Sequence, residues 1–198
     1  MGQSNHNLAS LIGSRICHDL ISPIGAITNG LELLDMAGGV QGPELDLISD
    51  SVGNAGARIR FFRIAYGASG EQMLGRAEIM SVLDDVSRGG RLQLHWNPVE
   101  PQSRANVRLA FLAIQCLETA MPYGGTVMVT VEDDRWSIAG VSDKLNVDPS
   151  LWAGLSAPET LDQVTPAQVQ FPLMPTVAAD LGRSISTEQV DGRIVIHF

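Results

Sequence analysis

The run PELDLISDSVGNAGARIRFFRIAYGA, residues 43–68, places apolar side chains at Leu45, Ile48, Val52, Ala55, Ile59, Phe62 and Tyr66. The spacing alternates three and four, which is the seam of a bundle of long helices. Pro43 stands where a first helical turn tolerates a missing N–H, and Gly67 where a helix ends. The pattern therefore predicts a helix from Glu44 to Tyr66 or Ala68. A preceding helix is expected from Asn7 to Met36, with Asn5 or Asn7 as N-cap and Gly38-Gly39 as its stop. The link between them is short enough to force an antiparallel hairpin. Two helices alone cannot cover such a seam, so the expectation is a homodimer that closes a four-helix bundle. The alternative is that the stripe packs on the chain's own second half.

Composition narrows the class. The chain has 198 residues, 44% of them apolar and 18% charged, with mean hydropathy +0.10. A sizeable core is affordable and disorder is not expected. No apolar run approaches the ~20 residues that span a bilayer. The N-terminus MGQSNHNLAS lacks a basic stretch followed by an apolar one, so neither a secretory signal nor a membrane partner is expected, and the cytoplasm is the expected location. The net charge of −9 argues against a nucleic-acid partner, which would need a basic stripe. Cys17 and Cys116 lie far apart, and the histidines at 6, 18, 95 and 197 are scattered, so no disulfide framework or metal site follows. His95 and His197 read as structural or surface groups, and the methionines as core filler.

After Ser69-Gly70 the pattern becomes α+β. Residues 72–88 read as a helix, 91–96 as a strand, 104–121 as a strongly apolar helix ended by Pro122 and Gly124-Gly125. Residues 126–132 and 135–142 are two strands joined at Asp133-Asp134. Residues 143–175 read as loops around short turns, followed by a helix over 175–182. Residues 183–198 form a hairpin on an Asp-Gly turn. This order suggests a helix layer on one face of a mixed sheet. The expected domains are 1–70 and 71–198.

On a wheel of the first helix, Ile12, Ile16, Leu20, Ile24, Ile27, Leu31 and Leu34 share one arc, the face to be buried. His18 lies opposite its centre, among Ser14, Ser22, Gly25 and Asn29. Pro23, inside the same helix, costs about 3 kcal/mol and frees the Asp19 carbonyl, so a kink is expected one turn beyond His18. A neutral imidazole carries a nucleophilic nitrogen near pH 7. A general base would want an enclosed pocket, which a convex helix face does not provide. A phosphoryl acceptor wants accessibility and in-line approach, with metal and charge stabilisation supplied by the partner. Asp19 is a candidate to orient or tune the imidazole, but as a helix neighbour it must fold back to reach the ring.

The run Cys17-His18-Asp19-Leu20-Ile21-Ser22-Pro23 resembles the phosphoacceptor motif of sensor histidine kinases, with Ile21 in place of the usual arginine. The second half is similar to the kinase ATP-binding domain without its chemistry. Thr119 and Pro122 stand where that helix carries a magnesium-binding asparagine and a lysine. Gly140, Ser142 and Lys144 stand in place of the adenine-site motif, and residues 169–175 in place of the glycine-rich lid. No phosphate-binding loop is present either: Lys144, the chain's single lysine, follows an aspartate. Together with the stretch Arg58–Gly67, this combination resembles the ChpT-type histidine phosphotransferases of alphaproteobacteria.

The resemblance implies a helical hairpin for dimerisation and phosphotransfer, and an ATPase-like α/β sandwich without an ATP site. It implies relay from the receiver of a hybrid kinase, CckA in that family's pathway, through His18 to the response regulators CtrA and CpdR. Magnesium would be supplied by the receivers, and no cofactor or metal is expected on this chain. Ser14, Arg15, Ile21, Ser22 and Gly25 are the expected docking residues beside His18, together with the lower part of the second helix. Two other readings remain: a histidine kinase with a diverged ATP site, and a non-catalytic scaffold or phosphatase-like regulator, for which Ser22 would matter more than His18. The cluster Arg58/Arg60/Arg63 is expected to be a solvated face instead of a receiver contact.

Overall fold

Helices followed by strands and short helices are seen in a computed structural model, in which most of the expected first helix before Ile27, its caps and the link to the second helix lie outside the described residues. The structure describes residue 21, residues 24–25, 27–36, 43–68, 70–158, residue 161 and residues 164–198. Contacts divide the chain into two compact units, Met1–Ala68 with Ser81–Gly89, and Ser69–Met80 with Gly90–Phe198.

In the first unit, residues 27–36 form helix α1, and residues 21, 24 and 25 are helical too. Helix α2 spans Pro43–Ala65, with proline at its first position as the sequence requires. The ladder closes on Tyr66, whose N–H donates to the Phe62 carbonyl at 2.8 Å. The expected seam is only partly buried within one chain. A stripe at Ala57, Phe61, Ile64 and Ala65 is buried more completely. That spacing of four, three and one is a second helical face, and the heptad seam drew attention away from it. Helix α3, Arg76–Gly89, ends in this unit. Asp85 explains why. Its carboxylate takes Arg60 of α2 with one oxygen and Arg88 with the other, the latter at 2.5 Å. A single cut near residue 70 does not anticipate that contribution.

In the second unit a five-stranded mixed sheet has the order β2-β4-β5-β7-β6. Its strands are β2 Leu92–Trp96, β4 Gly125–Glu132, β5 Arg135–Val141, β6 Ser186–Val190 and β7 Arg193–His197. Strands β1 Met73–Leu74 and β3 Gln102–Ser103 make a separate antiparallel pair. The sequence places residues 72–75 in a helix; the structure pairs Met73 with Ser103 instead and starts α3 at Arg76. β2 and β4 are parallel, in register from Leu92↔Gly125 to Trp96↔Val129. A parallel pair needs a long crossover, and helix α4, Arg104–Ala120, supplies it. Ser103 caps α4 by accepting from the Asn106 N–H at 3.2 Å.

Helix α4 is buried from Val107 to Leu117, because it packs against β4 and β5 on one side and helix α6, Gln170–Asp180, on another. Gly140 shows how close the first contact is: a Cβ there would lie 2.9 Å from the Met121 side chain. Arg108 is buried with this helix. Burial lowers its pKa, and the Asp180 carboxylate works in the opposite direction. The core-facing side chains of the sheet are Leu92, Leu94, Trp96, Val127, Val129, Trp136, Ile138, Ile194 and Ile196. Most of the residues between them, on the other face, are partly or fully exposed, but Val195 of β7 is buried there.

Two departures concern residues 143–175, expected as loops. Helix α5 spans Pro149–Ser156, and α6 begins at Gln170, not near 175, and ends at Asp180. Prolines hide both from a pattern reading. Pro149 occupies the first turn of α5, where its missing N–H costs nothing. Pro172 does the same in α6, and only Pro175 lies inside the helix. Burial of Leu151, Trp152, Leu155, Phe171, Met174 and Val177 holds the two helices, with Trp152 edge-on to Phe171 at 5.9 Å.

Both hairpins use turns that need positive φ. Asp133 and Asp134 join β4 to β5 at φ 49° and 63°, a pairing that suits the twist of a two-residue hairpin. Arg183 holds this turn: its guanidinium donates to the Asp134 carbonyl at 2.9 Å and to Oδ1 at 2.8 Å. The same guanidinium lies 5.8 Å from the ring centroid of Phe198, which stacks on Trp136. Removing it in Arg183→Ala is expected to cost about 1–2 kcal/mol in denaturant unfolding, the worth of hydrogen bonds from a charged donor. Arg183→Lys should recover only part of that loss, because an ammonium cannot reproduce the fork.

Asp148 caps α5, accepting from the Ser150 hydroxyl and from the N–H groups of Ser150 and Leu151. The Ser150 hydroxyl, and then these amides, hold its pKa below the ordinary carboxylate value. A lowered folded-state pKa contributes stability above the unfolded value, lost as pH falls through the folded one. Protection of the α5 amides, as exchange relative to the unstructured rate at the same pH, is therefore expected to fall on acidification through that window. In Asp148→Asn that fall should be absent; an identical protection profile would show that the cap does not act through this carboxylate.

Candidate phosphotransfer site

Of the residues singled out for phosphotransfer and docking, His18, Asp19, Ser22, Ser14 and Arg15 lie outside the described residues, as does Pro23. Ile21 and Gly25 are described, and both have helical backbone. Ile21 is 37% exposed. Gly25 is exposed, and a Cβ built on it meets no atom within 4 Å. Further along, the Thr28 hydroxyl donates back to the Ile24 carbonyl at 3.1 Å, a local bond that competes mildly with the helix ladder.

Among the described residues, the apolar arc of α1 is only partly covered by the chain itself. Ile24 and Leu31 are half-buried, whereas Ile27 and Leu34 are 50% and 51% exposed. On α2, Ile48 is 48% exposed, and Leu45, Val52 and Ala55 are half-buried. These are the seam positions, and burial increases toward Ile59 at the C-terminal half of α2.

Arg60 departs from the expected solvated face, because it is bound to Asp85. Arg58 and Arg63 are exposed along their helix and both take part in further interactions. Between α2 and α3 lies a groove of about 350 Å³, lined by Ser49, Asp50, Gly53, Asn54, Arg60, Asp85 and Arg88. The pattern reading did not find it. The only signal was the i, i+3 spacing of Asp85 and Arg88, which does not reveal a third partner, Arg60, twenty-five residues away on α2.

In the second unit, the positions compared with a nucleotide site are engaged with one another. The Thr119 hydroxyl donates to the Gln115 carbonyl at 3.0 Å and accepts from Gln170 Nε2 at 3.0 Å. Gln170 is only 3% exposed, and Phe171 and Met174 beside it are fully buried. Residues 170–175 are thus the first turns of α6, laid against α4. Ser142 donates to the Gly124 carbonyl at 2.8 Å. Lys144 places its ammonium 5.8 Å from the Tyr123 ring centroid, at a cleft of about 600 Å³ lined by residues 123–126 and 141–144.

Among the described residues, no three His, Cys, Asp or Glu side chains converge as metal ligands. Burial raises the pKa of the Cys116 thiol well above its ordinary value, so it is inert as a nucleophile. His95 is exposed. His197 is partly buried and has a hydroxyl and a carboxylate beside its two nitrogens. No helix among the described residues is long and apolar enough to cross a membrane.

Comparison with known proteins bears on the whole chain. Residues 76–193 match the model of the histidine phosphotransferase C-terminal domain. The protein phosphotransferase ChpT of Brucella abortus (strain 2308) is 35% identical, over 79% of this chain and 79% of its own. A bacterial phosphotransferase solved at 1.7 Å superposes with a TM-score of 0.69 and 28% identity, covering 98% of this chain and 95% of that one. With the family model spanning most of the sheet unit and a relative at this identity, the chain belongs to the ChpT-type family of histidine phosphotransferases.

Proposed function

We propose that this chain is a dimeric relay protein of two-component signalling, in which His18 takes a phosphoryl group from a receiver aspartyl phosphate and passes it to the aspartate of another receiver. The observation that carries this reading is the run Cys17–Pro23, with its histidine, acid and proline, leading into α1 of a chain that belongs to the histidine phosphotransferases. By analogy with the ChpT family, the donor is the receiver of a CckA-type hybrid kinase and the acceptors are regulators of the CtrA and CpdR type. The setting is then the cytoplasm.

Chemically, the imidazole nitrogen attacks the phosphorus of the aspartyl phosphate; an N–P bond forms as the aspartate O–P bond breaks, and the carboxylate leaves with its electron pair. The second transfer reverses these roles. Magnesium held by the receiver's acidic residues offsets charge on the transferring group, so this chain need supply only nucleophile and docking surface. Asp19 is assigned to orienting the ring, and Ser14, Arg15, Ile21, Ser22 and Gly25 to the surface that meets the receiver. The open space over Gly25 and the exposure of Ile21 support that assignment.

Domain roles follow the same reading: 1–70 carries dimerisation and phosphotransfer, and 71–198 is an ATPase-like sandwich that takes no nucleotide. The engagement of Thr119 with Gln170 and Gln115 supports the last point, since the position needed for a magnesium ligand is already committed. Half-exposed Ile27, Leu34 and Ile48 support the dimer, because a second hairpin would remove these apolar surfaces from water.

Transfer is tested by mixing the protein with a phosphorylated receiver. Wild type should acquire an acid-labile, base-stable phosphate and His18→Ala should acquire none; equal labelling of the two would dismiss the assignment. Saturable Mg-ATP binding in calorimetry would favour the kinase reading over the relay. Light scattering should report twice the 21.2 kDa chain mass for wild type and a single-chain mass for Ile48→Asp. A wild-type protomer of 21.2 kDa would remove the dimer. Gly25→Trp is expected to leave helicity intact and slow transfer by about tenfold or more, equivalent to some 1.4 kcal/mol of lost docking energy. Unchanged transfer would move the docking surface elsewhere on the molecule.

A further inference from the structure

Charge on α2 is sorted by position. Residues 43–54 carry Glu44, Asp46 and Asp50 and no basic side chain, whereas residues 55–65 carry Arg58, Arg60 and Arg63 and no acidic one. The helix macrodipole favours that order within the first and last turns, which covers Glu44, Asp46 and Arg63 but not Asp50 or Arg60. These two line the groove between α2 and α3, whose walls both belong to the first unit. Asp50 lies ten residues before Arg60, about 15 Å along the helix, so the groove has an acidic end and a basic end.

At the basic end one carboxylate holds two guanidiniums. Asp85 takes a single nitrogen of Arg60 on Oδ2 and a single nitrogen of Arg88 on Oδ1. A guanidinium carries five N–H donors. The Arg88 side chain is 76% exposed and that of Arg60 46%, so both present further donors to solvent. Two forks fixed side by side, with one positive charge left over, suit the carboxylates of a visiting protein. Height along the hairpin ties this end to the phosphoacceptor. Position 18 precedes Met36, the end of α1, by eighteen residues, and Phe61 follows Pro43, the start of α2, by eighteen. In the antiparallel hairpin expected from the sequence, equal counts mean equal heights, so Arg60 falls level with position 18.

We propose that the basic end of this groove is a second docking contact for the receiver, an inference that rests on the relay reading. Arg60 of α2 and Arg88 of α3 take carboxylates on the receiver's surface, while Asp85 keeps the two guanidiniums side by side. A receiver that brings its aspartyl phosphate to the height of position 18 also brings the acidic residues that hold its magnesium. Those residues make its approaching face negative, and the arginines steer and hold that face. The occupant is therefore an acidic protein surface. The expected docking residues on the first helix supply one side of the contact, and the groove supplies the other.

The test compares two phosphoryl donors on the full chain. One is a phosphorylated receiver, which must dock; the other is phosphoramidate, a small donor that passes its phosphoryl group to an imidazole and releases ammonia. The readout is the ratio of the His18 labelling rates from the two donors. Arg88→Glu should lower that ratio about tenfold. Added salt should slow receiver transfer to wild type more steeply than to Arg88→Glu. Arg193→Glu makes the same charge change in the sheet unit and should keep the wild-type ratio. Arg88 is the more exposed of the two arginines, so the experiment stays decisive if an Arg60 variant does not fold. A wild-type ratio in Arg88→Glu overturns the proposal and leaves the relay standing. Wild type that labels on His18 with neither donor overturns the relay reading, and this proposal with it.

Discussion

Helix α4 cannot face water on any long stretch of its surface, and the sheet unit is arranged around that constraint. Its residues from Val107 to Leu117 are buried almost without interruption. A helix that is apolar all round must be covered on more than one side. The sheet provides one cover through β4 and β5, and α6 provides another. Closing that second side brings Gln170 onto Thr119 and leaves Phe171 and Met174 fully buried. The burial that stabilises the unit thus also fills the surface of α4 next to Thr119 with protein.

The helical unit has the opposite character. Its apolar seam is longer than one chain covers, and the residues left half-exposed recur at the seam positions of both helices. Apolar exposure repeated at seam positions supports the proposed dimer, whereas scattered single residues would not. On the proposed reading the division of labour is simple: one unit offers a nucleophile to visiting receivers, and the other is a folded body without nucleotide chemistry. The Arg60–Asp85–Arg88 cluster shows that α2 is braced by ion pairs on one side as well as by apolar packing. An exposed pair contributes little alone, but two guanidiniums on one half-buried carboxylate fix geometry better than either would.

Local signals determined much of this protein in the sequence itself. The three–four spacing of residues 45–66 specified a long helix, and Pro43 marked its start. Alternation and turn chemistry specified β2, β4 and β5 and the final hairpin, because period and positive-φ turns are properties of a few consecutive residues. The histidine motif was legible as a motif, since its chemistry lies within seven residues. Only the tertiary structure decided which apolar residues are covered, as with the Ala57–Phe61–Ile64–Ala65 face, and where prolines sit harmlessly at the starts of α5 and α6. It alone brought Arg60 to Asp85, Gln170 to Thr119, and Ser137 to His197. These partners are separated by 25, 51 and 60 residues, and no local period encodes which distant groups meet when a sheet closes its register or a helix finds its cover.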